Sequence, residues 1–150
     1  MSEDDDRVKH TYSITLLIIH PDMDPDVITR TLGAIGIQPY TSFMAGKMSF
    51  TPKGTEMGIA RDTRWNYVED FFDDVRFFEM MGKMVVKLHA HFRDFFRQIV
   101  SEGGTVMLIV NLPGKRNQGD TLAPELLGKM ADMSVSLGVE TFPDSNRFDN

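Results

Sequence analysis

An apolar stripe between residues 85 and 99 constrains the fold of this chain more than any other feature. Six large apolar side chains recur there at the spacing of one helix face: Val85, Leu88, Phe92, Phe95, Phe96 and Ile99. Gly103 and Gly104 end the pattern, and Gly82 either separates this helix from an earlier one or bends a single longer helix. Such a helix is stable only when its stripe is buried, so the rest of the chain must supply a broad apolar layer.

Three strand-like segments supply that layer. Residues 10–20 alternate between two sets of side chains, one of them apolar throughout, and residues 105–112 and 135–142 are rich in β-branched and aliphatic residues. We therefore predict an α+β fold with a mixed, largely antiparallel sheet and with helices packed mainly on one face. The helix over residues 85–99 is expected to lie across that face.

Shorter signals complete the order of elements. Asp24 followed by Pro25 predicts the start of a short helix, because aspartate caps a first turn and proline fits the first helical position. Residues 37–50 predict a hairpin or a strand with a turn, and residues 59–68 predict another strand. The helical pattern begins at Glu69, and a further short helix is expected just before the final strand.

Length and composition narrow the class of protein. The 150 residues suit a single domain, with an ordered core over about residues 10–143 and a polar tail at each end. The absence of cysteine excludes disulfides, thiolate metal sites and thiol nucleophiles. The acidic N-terminus lacks the apolar run of a signal peptide, so we expect a cytoplasmic protein.

The charge balance bears on the class of partner. There are 22 acidic and 16 basic residues, which give a formal net charge of -6. A protein of this charge is repelled at long range by nucleic acid and by anionic membranes, so we expect neither as a partner. It is attracted to a basic partner, and we expect that partner to be another protein.

The obvious metal motif fails on its spacing. Asp22, Asp24 and Asp26 alternate as in a calcium-binding loop. An EF-hand loop needs glycine at its sixth position and glutamate at its twelfth, where this chain has Val27 and Gly33. Helix capping explains the aspartates without an ion. We predict no metal and no cofactor.

The histidines are the remaining candidates for a metal site or for a catalytic pocket. His89 and His91 are two residues apart in a predicted helix, so their rings point in nearly opposite directions and cannot share a metal ion. His20, Asp22 and Trp65 would form the pocket of an enzyme or of a small-ligand binder only if neighbouring elements bring them together. His20 and Trp65 are otherwise expected to be structural, and we favour a protein that is not an enzyme.

Residues 69–81 form the predicted partner-binding surface. Four acidic side chains would steer a basic partner: Glu69, Asp70, Asp73 and Asp74. Three apolar side chains beside them would anchor it: Phe77, Phe78 and Met81. In one alternative the carboxylates only stabilise a helix start and the apolar residues belong to the core. In another the chain is a structural subunit of a homo-oligomer.

Several short segments carry a resemblance to a known family. Residues 20–29 read His-Pro-Asp-Met-Asp-Pro-Asp-Val-Ile-Thr, residues 50–55 read Phe-Thr-Pro-Lys-Gly-Thr, and residues 121–127 read Thr-Leu-Ala-Pro-Glu-Leu-Leu. Together with Trp65, these segments make most of the chain similar to the bacterial domain-of-unknown-function 4279 family.

The resemblance implies a small stand-alone bacterial protein and brings no established activity. Since some members are suspected of being immunity proteins beside toxins, it also implies that role here, and the net charge favours a basic, toxin-like partner. Ala123 stands where the family often has a capping serine, so Thr121 is expected to cap the following helix. Phe142 stands where a tyrosine is common in the family.

Overall fold

The computed structural model describes residues 12–72, 76–113 and 119–142. Within these ranges the chain forms seven strands and three helices. In chain order they are β1 Tyr12–His20, α1 Pro25–Gly33, β2 Thr41–Phe43, β3 Met48–Phe50, β4 Glu56–Ile59, β5 Thr63–Phe71, α2 Phe77–Ser101, β6 Thr105–Pro113, α3 Pro124–Asp132 and β7 Val135–Phe142.

A five-stranded sheet of order β2-β5-β1-β6-β7 forms the centre of the fold. β1 is antiparallel to both β5 and β6, β2 is antiparallel to β5, and β7 is parallel to β6. β3 and β4 form a separate two-stranded hairpin. The predicted α+β fold with a mixed, mostly antiparallel sheet is confirmed.

One face of the large sheet carries the core. The even-numbered residues of β1 from Tyr12 to Ile18 are buried on this face, and Trp65 and Leu108 continue it on the two neighbouring strands. α2 packs over β1 and β6, α1 over β5, and α3 beside α2 and β7. Leu88 and Phe96 are fully buried, so the apolar stripe is covered by the sheet, as predicted.

Two local predictions about helices are confirmed or resolved. The Asp24 carboxylate accepts a hydrogen bond from the Asp26 amide at 2.9 Å, and Pro25 occupies the first turn of α1. Gly82 lies inside one continuous helix of 25 residues. A Cβ atom on Gly82 would lie 2.8 Å from a methyl group of Leu126, so this glycine allows α3 to approach α2 closely.

The predicted boundary between strand and helix near residue 69 is wrong. β5 continues to Phe71, so Glu69 and Asp70 lie in a strand, and α2 begins only at Phe77. The reason is the partner strand, because Tyr12 pairs with Phe71 and their rings stack with centroids 4.9 Å apart. This long-range pairing extends the strand through a segment whose local pattern is helical.

The start of α3 also differs from the prediction. Ala123 occupies the N-cap position, and no side-chain hydrogen bond caps the helix. The expectation that Thr121 caps this helix is therefore wrong. Pro124 fixes the backbone at the first helical position, which favours the start of a helix without a capping side chain.

Trp65 provides a test of this core. It is fully buried and its indole Nε1 donates a hydrogen bond to the Thr29 hydroxyl at 3.0 Å, which joins β5 to α1. We expect Trp65→Ala to lower the free energy of unfolding by about 3–5 kcal/mol in chemical denaturation, because it leaves a cavity. The matched control is Tyr40→Ala, an exposed aromatic that should cost less than about 0.5 kcal/mol. Equal losses in the two variants would contradict the core described above.

Candidate partner-binding surface

The β3–β4 hairpin has an inverted distribution of side chains. Met48 pairs with Ile59 and Ser49 with Gly58, and a bulge follows before Phe50. The face that carries Ser49 is turned inward, since Ser49 is buried and its hydroxyl donates a hydrogen bond to the Gly58 carbonyl at 2.9 Å. The large apolar residues therefore lie on the outer face.

This outer face of the hairpin is well exposed to solvent. The exposed fractions of its four large apolar residues are 40% for Met48, 46% for Phe50, 58% for Met57 and 64% for Ile59. Single exposed apolar residues are ordinary in proteins, whereas a contiguous group often marks an interaction surface. We call these four residues the hairpin patch.

Backbone and side-chain hydrogen bonds hold the hairpin in place. The Ala60 amide bonds to the Lys47 carbonyl, and the Gly46 amide bonds to the Ala60 carbonyl, both at 2.9 Å. At its base, the buried Thr63 hydroxyl accepts from the Ala45 amide and donates to the Met23 carbonyl. The hairpin patch is thus presented on a scaffold fixed to the main sheet.

The acidic part of the predicted surface does not form one patch. Glu69 and Asp70 are consecutive in β5, so their side chains point to opposite faces of the sheet. Glu69 is half-buried and Asp70 is exposed. Asp73 and Asp74 lie outside the described residues.

The predicted apolar anchors belong mainly to the core. Phe77 and Met81 are buried, and the Phe77 ring lies edge-on to Tyr12 with centroids 6.1 Å apart. Phe78 is half-buried against Phe77. Residues Phe77 and Met81 therefore have no surface for a partner, because the first turns of α2 close the end of the core over Tyr12.

His20, Asp22 and Trp65 do not line the cavity described in the next paragraph. His20 is buried, and its Nδ1 accepts hydrogen bonds from the amides of Asp22 at 3.1 Å and Met23 at 2.9 Å. Because Nδ1 is an acceptor, the proton lies on Nε2, which donates to Glu102 at 2.8 Å. Both ring nitrogens are used to shape the turn after β1, and Trp65 is bonded to α1. All of these contacts lie within the fold, and the structural roles of His20 and Trp65 stay a prediction.

A cavity of about 190 Å³ lies elsewhere, between β5 and the first half of α2. Its lining is largely apolar, with two lysines and one carboxylate: Ile37, Tyr67, Glu69, Phe71, Met80, Lys83, Met84, Lys87 and Leu88. Burial raises the pKa of Tyr67, and the neighbouring Glu69 carboxylate raises it further. Such a cavity can accept a small apolar group that carries an anionic end.

A charged cluster around Asp132 joins α2 to α3. The Asp132 carboxylate accepts from Nε and Nη2 of Arg93 and from His89 Nε2, and Arg97 donates to the Asp132 carbonyl at 3.0 Å. The hydrogen bonds from Arg93, followed by that from His89, hold the pKa of Asp132 well below its usual value. His91 is exposed and takes no part in this cluster.

The described parts of the chain contain neither a cluster of metal ligands nor a membrane-spanning helix. No group of three or more potential metal ligands occurs within these residues. Among the described helices, none is long and apolar enough to cross a membrane.

Comparison with known proteins returned no match to this chain among family models, curated proteins or solved structures. The resemblance to the domain-of-unknown-function 4279 family therefore stays a prediction. The hairpin patch was missed by sequence reasoning because its alternation is that of any half-buried strand. Only the pairing of Ser49 with Gly58 on the inner face reveals which side chains face outward.

The Asp132 cluster predicts a pH dependence of stability. The folded state lowers the pKa of Asp132, so the cluster stabilises the fold above the usual carboxyl value of 3.8 and loses this contribution as the pH falls below it. We expect Asp132→Asn to be less stable than the wild type at pH 7, and to lose less stability between pH 5 and pH 2. Asp62→Asn is the matched control, because Asp62 is exposed to a similar degree and its ion pair with Arg64 lies outside this cluster. Parallel curves for Asp132→Asn and wild type would contradict this role.

Proposed function

We propose that this protein is a non-catalytic protein-binding module whose contact surface is the hairpin patch. The observation that carries the proposal is the exposure of Met48, Phe50, Met57 and Ile59 together on a hairpin whose polar residue faces inward. Exposing these side chains to water costs free energy that a folded partner would recover on binding.

The surroundings of the hairpin patch fit a protein interface. Lys47, Lys53, Glu56 and Arg61 are exposed on or next to the hairpin and form a polar rim. Interfaces commonly combine an apolar centre with a polar rim, and the binding energy is concentrated in a few central anchors. Phe50 is the best anchor, because it is the only aromatic residue of the patch. Two methionines give the patch adaptable packing.

Electrostatics favour a basic partner. Residues 44–62 contain three basic and two acidic side chains, so the hairpin carries a net charge of +1 while the whole chain carries -6. The acidic remainder of the protein would steer a basic partner at long range, and the nearly neutral hairpin would then dock without strong repulsion. The resemblance described above adds the narrower proposal that the partner is a toxin-like protein which this module inhibits.

A second candidate function is the binding of a small ligand. The cavity between β5 and α2 supports it, because Lys83 and Lys87 stand beside apolar lining residues. Native mass spectrometry of the purified protein separates the two proposals. A small molecule retained by the wild type and lost from Met84→Trp, which fills the cavity, would favour this second function.

Comparative affinity capture from the native host tests the first proposal. The wild type, Phe50→Ser and Val86→Ser are used as baits, and Val86 is a matched control because it is exposed to a similar degree on α2. We expect Phe50→Ser to lose a partner that both other baits retain, with a cost of about 2 kcal/mol in a later titration, as for a central anchor. We also expect association to slow as salt rises, because screening weakens steering.

Two outcomes would contradict the proposal. One is equal recovery of every captured protein by Phe50→Ser and by the wild type. The other is a turnover assay in which the purified protein alone converts a small molecule.

A further inference from the structure

β7 is an edge strand that lacks the usual protection of edges. It ends the order of the large sheet, so among the described strands only β6 pairs with it. Natural edge strands are commonly short or carry lysine or proline, which discourage pairing with another chain. β2 at the opposite edge has three residues, whereas β7 has eight, and residues 135–141 contain neither lysine nor proline.

Apolar side chains accompany this open backbone edge. Leu137 and Val139 lie on the helix-covered face of the sheet, in register with Leu108 and Val110. They are nevertheless 38% and 54% exposed, because the helix layer does not reach fully over this edge. Leu127 on the neighbouring helix α3 is also exposed.

We propose that β7 pairs with β7 of a second copy of this chain, antiparallel, around a two-fold axis at Gly138. In this register, Leu137 lies directly opposite Val139 of the second copy, and Val139 lies opposite its Leu137. Cross-strand apolar pairs of this kind stabilise a sheet. The two five-stranded sheets become one continuous sheet of ten strands, and the interface is self-complementary, as a two-fold dimer requires.

Charge and side-chain pairing favour this register over its neighbours. An axis at Val139 would place Leu137 opposite the polar Thr141 and leave Val139 as the only apolar residue paired with an apolar partner. With the axis at Gly138, Glu140 lies opposite Ser136, whereas an axis at Glu140 would oppose two carboxylates directly. An axis at Leu137 places Val139 opposite Val135, which is already buried in its own subunit. Gly138 at the axis also allows the two backbones to approach closely.

The proposed dimer and the proposed partner complex respond oppositely to salt. Each copy carries a net charge of -6, so repulsion between copies opposes dimerisation and added salt screens it. Association with a basic partner weakens with salt instead. The salt dependence therefore distinguishes a failure of the dimer proposal from a failure of the partner-binding proposal.

Analytical ultracentrifugation of the full chain at two salt concentrations tests the proposal. We expect a monomer–dimer equilibrium that shifts toward dimer at the higher salt. Val139→Lys places an ammonium group at the edge, and we expect it to raise the dimer dissociation constant by roughly tenfold or more. Ile59→Lys is the matched control: it should dimerise like the wild type while losing the partner that the hairpin patch binds. A monomer at every soluble concentration, or an unchanged dimer in Val139→Lys, would overturn the proposal.

Engineered cysteines report the register, because the natural chain contains none. We expect a mixture of Leu137→Cys and Val139→Cys proteins to form disulfide-linked heterodimers on mild oxidation, since these positions face each other across the axis. Either variant alone should cross-link much more slowly. Self-linking of one variant at the rate of the mixture would overturn the register centred on Gly138.

Discussion

The pairing of β1 on both of its edges is the interaction on which the rest of the structure depends. β1 is antiparallel to β5 along its whole length and to β6 along most of it, and its buried face from Tyr12 to Ile18 supports α2. The same strand ends at His20, whose ring shapes the turn that leads to α1. One strand thereby fixes the sheet order, the helix layer and the route of the chain toward the hairpin.

The parts of this arrangement that sequence could predict are those with a strong local period. The alternation in β1, the apolar stripe of α2 and the final strand β7 were each recognisable because burial of one face imposes a period of 2 or 3.6 residues. The extension of β5 to Phe71 could not be predicted from the sequence, because it depends on pairing with Tyr12, which is distant in the chain. Asp73 and Asp74 lie outside the described residues, so their predicted role stays a prediction.

The candidate surface was hidden from sequence reasoning for a different reason. Met48 and Phe50 alternate with Ser49 in the manner of an ordinary half-buried strand, in which large apolar residues face inward. Here the small residues Ser49 and Gly58 face inward, and the large apolar residues face outward. An alternating pattern specifies two different faces, but tertiary packing decides which one is buried.

Two polar side chains that could serve catalysis, His20 and Asp132, are already used in contacts within the fold. A catalytic acid or base needs a ring nitrogen or a carboxylate that remains available to a substrate. His20 uses both ring nitrogens on Asp22, Met23 and Glu102, and Asp132 is surrounded by arginine and histidine donors. Among the described residues, two groups of exposed apolar side chains carry the proposals made above: the hairpin patch and the β7 edge. Apolar surface of this kind contributes to affinity when a partner removes it from water.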